Sequence, residues 1–216
     1  GSDLQREFNI SWLAIAIDLT QSSQVEVLIK NLENKSIVPE LIVNNAGYGL
    51  AGRVEKSDVA QQLGSIHLNV AVLTEITLKY LPRLVSENRG GIINVGSVAG
   101  FFPGPFFSVY YATKAYVQSF THAIAHELKS SNVKICVICP GPTITGFQKR
   151  AGLDRSRVTS SGAAMTAGEV AKIGYAGYKK GRCVVVTGKL NRILVLLSSL
   201  IPTSWFVYGI SKFNRP

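Results

Sequence analysis

The chain has 216 residues, 46% of them hydrophobic and only 17% charged, which suits one domain with a sizeable core and excludes disordered or fibrous classes. Its net charge of +10 comes from scattered Lys and Arg, without the basic stripe and interleaved aromatics of a nucleic-acid surface. An anionic dinucleotide or a membrane surface is the better match to that charge. Three cysteines form no disulfide framework, and the offset of three between Cys136 and Cys139 directs them to opposite faces of a strand. No signal-peptide pattern opens the sequence, so the expected location is cytoplasmic and the Asn9-Ile10-Ser11 and Asn34-Lys35-Ser36 sequons carry no weight.

Leu13-Ala14-Ile15-Ala16-Ile17 reads as a short strand ending in the turn Asp18-Leu19-Thr20, with Asp18 a candidate cap for a helix from Gln21 to Leu32. Leu41 to Asn44 is a continuous apolar run of the kind found in buried parallel strands. Leu63, Ile66, Val70, Leu73, Ile76 and Leu81 set a helical period over about 59–87, which Pro82 is expected to kink or divide. Gly91 to Val95 is a strand, Val109 to Leu128 a helix, and Val133 to Ile138 a strand closed by a Pro-Gly loop. Residues 143–165 show no period and are expected to form a lid over a substrate. Ala167 to Lys180 reads as helix and Cys183 to Val186 as the last strand. The apolar stretch 190–213 is broken at Ile201-Pro202 into two short helices. Pocket or subunit packing is its first reading, and peripheral contact with a membrane surface the alternative.

Tyr110 and Lys114 are four residues apart, on one face of the predicted helix. An ammonium beside a phenol favours the phenolate and lowers the tyrosine pKa, making a proton donor usable near neutral pH. Ser97 precedes Tyr110 by thirteen residues and lies beyond the end of the 91–95 strand, where ligands gather in an open parallel sheet. Together the three groups can hold and protonate a carbonyl while hydride arrives from the other side. His122 and His126 share a helix face without a third ligand and read as exposed helix residues, so no metal site is expected. Phe101-Phe102-Pro103-Gly104-Pro105-Phe106-Phe107 either lines an apolar pocket or packs between sheet and loop.

Four segments, in this order and spacing, resemble the short-chain dehydrogenase/reductase family. They are Asn44-Asn45-Ala46-Gly47, Asn69 within a helix, Gly96-Ser97 with Tyr110-Tyr111-Ala112-Thr113-Lys114, and Pro140-Gly141-Pro142-Thr143-Ile144-Thr145. The resemblance runs from about Leu13 onward and is nearest to bacterial ketone or acyl-type reductases. It implies a doubly wound α/β fold with a parallel sheet in the order 3-2-1-4-5-6-7, across a single dinucleotide-binding oxidoreductase domain. It implies an NAD(P)(H)-dependent enzyme, NADP preferred, which interconverts a ketone and a secondary alcohol on an apolar, acyl or ring-bearing substrate, as a homodimer or homotetramer. The alternative is a dinucleotide-binding structural or sensing protein with a vestigial or truncated site.

The same resemblance implies roles. Tyr110 is the general acid in reduction and Ser97 polarises the carbonyl. Lys114 tunes the phenol and binds the nicotinamide ribose, and Asn69 holds a water that links Lys114 to solvent as a proton relay; a helix-interior Asn that bends its helix by binding its own backbone is compatible with that role. Asp18 and Leu19 border the adenine. Asn45, Ala46 and Gly47 approach the adenosine side through backbone, and Pro140, Gly141, Thr143 and Thr145 contact the carboxamide and phosphates. The family's first two strands and their T-G-x-x-x-G-x-G turn do not occur before Asn44. The expectation is that they belong to the molecule but lie outside this sequence, a truncated chain being the alternative.

Overall fold

The computed structural model describes residues 1–21, 23–153 and 164–214, in two compact units, Gly1–Val38 and Pro39–Pro216. The first unit holds two helices, α1 (Ser2–Phe8) and α2 (Gln24–Glu33). The expected strand over Leu13–Ile17 does not form. Among the described residues nothing pairs with it, and an apolar run without a ladder partner has no reason to hold extended geometry. Asp18 does not cap a helix either. Its carboxylate accepts from the Thr20 amide at 3.0 Å and the Thr20 hydroxyl at 2.7 Å, closing a local turn, and α2 begins after Ser23.

The second unit opens with β1 (Leu41–Asn44), a 3-10 turn at Val54–Lys56 and α3 (Val59–Ile66), whose N-cap Asp58 accepts from the Gln61 amide. A π-helical segment, His67–Val72, leads without a break into α4 (Leu73–Glu87). Pro82 lies inside α4 and does not divide it. The irregularity falls a dozen residues earlier, at the turn holding Asn69, where a bulge frees backbone for other partners. Next come β2 (Gly91–Val95), a 3-10 turn at Val98–Phe101, α5 (Ser108–Glu127) and β3 (Lys134–Cys139).

The segment expected to be an aperiodic lid carries regular structure at its ends. β4 (Thr143–Ile144) pairs in parallel with β5 (Met165–Thr166), and α6 (Phe147–Ala151) follows β4. Residues 154–163 of that lid lie outside the described residues. A capping box between Thr166 and Glu169 starts α7 (Ala167–Lys179). Then follow β6 (Val184–Val186), α8 (Lys189–Leu200) and α9 (Thr203–Asn214), with Pro202 between the two last helices as expected.

The main sheet is parallel throughout, in the order β1-β2-β3-β6, with Val43 opposite Ile93, Ile93 opposite Cys136, and Ile138 opposite Val185. Parallel neighbours need long crossovers, and the helices between the strands supply them. The central strands β2 and β3 are covered on both faces and read as apolar runs rather than alternating ones, whereas Val43 of the edge strand β1 stays exposed. On one face Ile93, Cys136, Ile138 and Val185 pack with Tyr178 of α7. On the other, Ile92 and Ile135 pack with Leu84 of α4 and Ile124 of α5, and Val137 and Cys139 pack with Leu73 and Val117. Full burial of each such aliphatic side chain contributes about 1.5–3 kcal/mol. Cys136 and Cys139 fall on opposite faces, buried in apolar clusters that push both thiols up to about 12. His122 and His126 are exposed, and the described residues contain no cluster of three metal-ligating side chains.

One polar network crosses this core. The Asn44 side-chain amide donates to Asn94 Oδ1 at 2.9 Å and to Thr77 Oγ1 at 3.2 Å, and Asn94 donates to Thr121 Oγ1 at 2.9 Å. Asn94, Thr77 and Thr121 are all but inaccessible. A satisfied network at that depth ties β1, β2, α4 and α5 into one register.

Candidate active site

The segments after β1, β2 and β3 leave the sheet at its carboxyl end, and the candidate residues of the second unit gather there. Ser97 follows β2 in extended backbone and accepts from the Ala99 amide at 3.1 Å while its hydroxyl lies 3.4 Å from the Pro140 carbonyl. Pro140 also accepts from the Val98 amide at 2.9 Å, so the exits of β2 and β3 are tied together.

Helix α5 faces these exits. Tyr110 is half-buried, and the Ser97 hydroxyl lies near enough to its own to pull its pKa down. Its ring stacks on Phe107 at 4.6 Å, and a Cβ placed on Gly49 would lie 2.6 Å from it. Ring and hydroxyl are thus fixed from three sides. Tyr111 points elsewhere, into a cluster with Phe102 and Phe107, where its hydroxyl receives the Asn214 amide at 3.2 Å. Only Tyr110 reaches Ser97.

Lys114 is buried, and its ammonium donates to the Val95 carbonyl at 2.7 Å while lying 5.7 Å from the centre of the Tyr110 ring. Burial pulls Lys114 down to about 8 and pushes Tyr110 up to about 12. The expected lowering of the phenol is therefore absent in the chain alone. The cation spends its hydrogen bond on Val95 and sits against the ring rather than the hydroxyl, so desolvation of Tyr110 dominates. The neighbouring Ser97 hydroxyl opposes it.

Asn69 sits in the π-helical turn and is buried. Its Oδ1 accepts from the Tyr48 amide at 3.1 Å, and its Nδ2 donates to the Tyr48 carbonyl at 2.8 Å and to Thr113 Oγ1 at 3.1 Å. Thr113 in turn donates to the Tyr110 carbonyl at 2.7 Å. Asn69 therefore binds a distant loop and the catalytic helix instead of its own backbone. A Cβ on Gly47 would lie 2.8 Å from Asn69 Oδ1 and 3.9 Å from Lys114 Nζ, so glycine there lets the β1 exit pass close over both groups.

The remaining predicted cofactor residues divide. Asn45 and Ala46 are exposed beyond β1. Gly141 packs so closely on Asn191 that a Cβ would lie 2.3 Å from its side chain. The Thr143 hydroxyl donates to the Gly141 carbonyl at 2.9 Å, and Thr145 Oγ1 accepts from the Phe147 amide at 3.1 Å. Both threonines thus shape the loop in which they stand. Asp18 and Leu19 belong to the first unit, where Thr20 holds the Asp18 carboxyl below the usual carboxylate range.

Four contributors escaped the sequence reading. Gln118, buried one turn beyond Lys114, donates to the Ser97 carbonyl at 2.8 Å. The spacing 110-114-118 was the available signal, since residues four apart share a helix face. Thr113 and Asn94 act through partners remote in sequence, and Gly49 acts by having no side chain. The aromatic run packs: Phe102 and Phe107 cluster with Ala151, Phe147, Leu194 and Phe206.

A parallel α/β sheet with a Ser-Tyr-Lys constellation at its carboxyl end defines a carbonyl-handling site of the dinucleotide-dependent kind. The family model described as short chain dehydrogenase matches residues 2–156, and the chain belongs to that family of oxidoreductases. It is 28% identical over 210 residues to a probable short-chain type dehydrogenase/reductase, VdlC, of Helicobacter pylori, covering 89% of this chain and 78% of that protein. To the ketoacyl reductase HetN of Nostoc it is 27% identical over 222 residues, covering 94% and 74%. Other relatives are matched over as little as 45% of their length. Among solved structures, a short-chain dehydrogenase from Sphingobium yanoikuyae in complex with NADPH superposes with a TM-score of 0.79 at 26% identity, covering 92% of this chain and 77% of that one.

Proposed function

We propose that the chain carries the catalytic side of an NAD(P)(H)-dependent oxidoreductase that interconverts a ketone and a secondary alcohol. Its substrate is apolar, acyl or ring-bearing, and NADP is the preferred cofactor. The observation that carries this reading is the convergence of Ser97, Tyr110 and Lys114 at the carboxyl end of the sheet, with the Lys114 ammonium 5.7 Å from the centre of the Tyr110 ring. A carbonyl oxygen set beside that pair accepts a hydrogen bond from Ser97 and the proton of Tyr110, becoming the alcohol O–H; oxidation returns the proton to the phenolate. The nicotinamide, when bound, supplies or accepts the hydride.

The residues present fit the nicotinamide-ribose and adenosine sides of such a cofactor. The Gly47 cradle keeps the β1 exit slim beside Lys114, which is the group suited to a ribose hydroxyl. Asn45, Ala46 and Gly47 serve the adenosine side. Pro140, Gly141, Thr143 and Thr145 form the carboxamide side. Asn69 holds Tyr48 and Thr113 in place and, in this reading, keeps the water that links Lys114 to solvent. The likeness to a ketoacyl reductase of Nostoc and to a Sphingobium dehydrogenase in complex with NADPH supports the acyl and NADP readings.

The enzyme is further read as cytoplasmic and as a homodimer or homotetramer. A groove of ≈ 540 Å³ lined by Val70, Thr74, Leu78 and Tyr116 of the π segment, α4 and α5 supports self-association. The test is cofactor consumption by the full-length protein with NADPH and NADH, over a panel of 3-oxoacyl esters and bulky cyclic ketones. NADPH-dependent reduction of at least one class is expected. A cofactor-induced rise in melting temperature without turnover on any of them would transfer the protein to the sensing reading, and neither signal would overturn both.

A further inference from the structure

Charge is distributed unevenly along this chain. After Glu169 there is no Asp or Glu, while eight Lys and Arg follow, so that stretch holds eight of the ten net positive charges. Lys189, Arg192 and Lys212 are exposed on α8 and α9, and none of the ion pairs among the described residues involves them.

The same two helices are apolar on two sides. Their inner sides are used: Leu194, Phe206 and Ile210 pack on the aromatic cluster of Phe102 and Tyr111, and Asn214 bonds the Tyr111 hydroxyl. Their outer sides are bare. Leu190, Ile193, Leu197 and Leu200 recur at helical spacing along α8 at 41–70% exposure, and Trp205 and Tyr208 stand out from α9 at 74% and 65%. Lys212 lies over the Tyr208 ring at 4.6 Å. Solvent-facing positions this apolar, rimmed by charge of one sign, mark a docking face.

We infer that the outer face of α8 and α9 docks on an anionic lipid bilayer. Charge decides among occupants. A second copy would bring the same uncompensated cations to a self-complementary contact, whereas anionic headgroups neutralise them. Length decides the mode. At 12 residues each, the helices are about 18 Å long against a hydrocarbon core of about 30 Å, and no helix of the described residues is long and apolar enough to cross. They lie in the plane of the interface, with leucines in the acyl boundary, Trp205 and Tyr208 at headgroup level, and Lys189, Arg192 and Lys212 on the phosphates. This docking stands apart from the proposed chemistry, since none of its residues touches the Ser97–Tyr110 pair.

The experiment uses the full chain. The sequence holds two tryptophans, Trp12 and Trp205, so Trp12→Phe leaves Trp205 as sole reporter. Vesicles of equal parts phosphatidylcholine and phosphatidylglycerol should sediment the protein and shift Trp205 emission to the blue. Pure phosphatidylcholine should bind at least tenfold more weakly, because each basic residue at an anionic surface is worth about fivefold in partitioning. High salt should release the protein. Leu200→Glu, at an exposed position, should cut anionic binding tenfold or more with the circular dichroism spectrum unchanged. Folded protein that ignores anionic vesicles, or binds both vesicle types equally, overturns the inference whether or not the Leu200 variant folds. Self-association that Leu200→Glu abolishes, without vesicle binding, would assign the face to a second copy instead.

Discussion

Tyr110 and Tyr111 are adjacent and aromatic, yet they occupy different environments because neighbours on a helix point about 100° apart. Tyr110 meets Ser97 and the Lys114 ammonium; Tyr111 meets Asn214 at the end of α9. Their phenylalanine variants should therefore separate chemistry from stability. Tyr110→Phe keeps the stack on Phe107 and removes the transferable proton, so kcat should fall about 10²–10⁴-fold, the usual contribution of a general acid, with melting nearly unchanged. Tyr111→Phe should cost about 1 kcal/mol through the lost Asn214 bond and leave turnover close to wild type. Steady-state rates beside thermal melts check both, and a Tyr110 loss below tenfold on a true substrate would sink the assignment.

Helices and strands show why part of this protein is legible in its sequence and part is not. The strands at 41–44 and 91–95 and the break at Pro202 could be read directly, because a parallel strand inside an α/β sheet is a short apolar run and proline stops a helix. Tyr110, Lys114 and Ser97 were legible because helix periodicity and a strand end fix their relation locally. The run at 13–17 misled because apolarity does not make a strand without a partner. Pro82 misled because an exposed helix tolerates one missing N–H, whereas the real irregularity follows from Asn69 bonding Tyr48, twenty-one residues away. Gly49 was invisible because its contribution is empty volume. A Cβ there would lie 2.6 Å from Tyr110 and 2.8 Å from Phe107, so Gly49→Ala must displace the phenol ring. Misplacing a catalytic group by about 1 Å can cost 10²-fold, and a kcat reduced tenfold or more is expected. Gly168→Ala is the counterpart: nothing lies within 4 Å of its Cβ, inside the first turn of α7. It should leave activity intact and raise stability by about 0.5–1 kcal/mol, the helix preference of alanine over glycine. Equal rates for both variants would remove Gly49 from the site.

For the whole molecule, the site is an electrostatic load on the fold. Lys114 is buried under the sheet's exit loops, and burial lowers it from an ordinary value of 10.5 to about 8. A group depressed in this way favours folding in its neutral form. Its contribution is fully present above about pH 10.5 and is lost as the pH falls through about 8. Below that, the buried ammonium costs roughly 3 kcal/mol relative to an unperturbed lysine. Lys114→Met removes the charge and keeps the apolar stem, at the expense of the Val95 carbonyl, whose lost partner returns about 1 kcal/mol. The variant should therefore be more stable than wild type by about 2 kcal/mol near pH 7, and the gain should vanish near pH 10. Tyr110 titrates near 12 and drops out of the difference to first order. Turnover and cofactor affinity should both fall in the same variant. The acid limb of alcohol oxidation should move upward, because the ammonium that favours the phenolate is gone. Urea melts of both proteins at the two pH values measure the stability difference. A difference that does not change with pH would mean that Lys114 is not the buried, depressed cation that couples this fold to its chemistry.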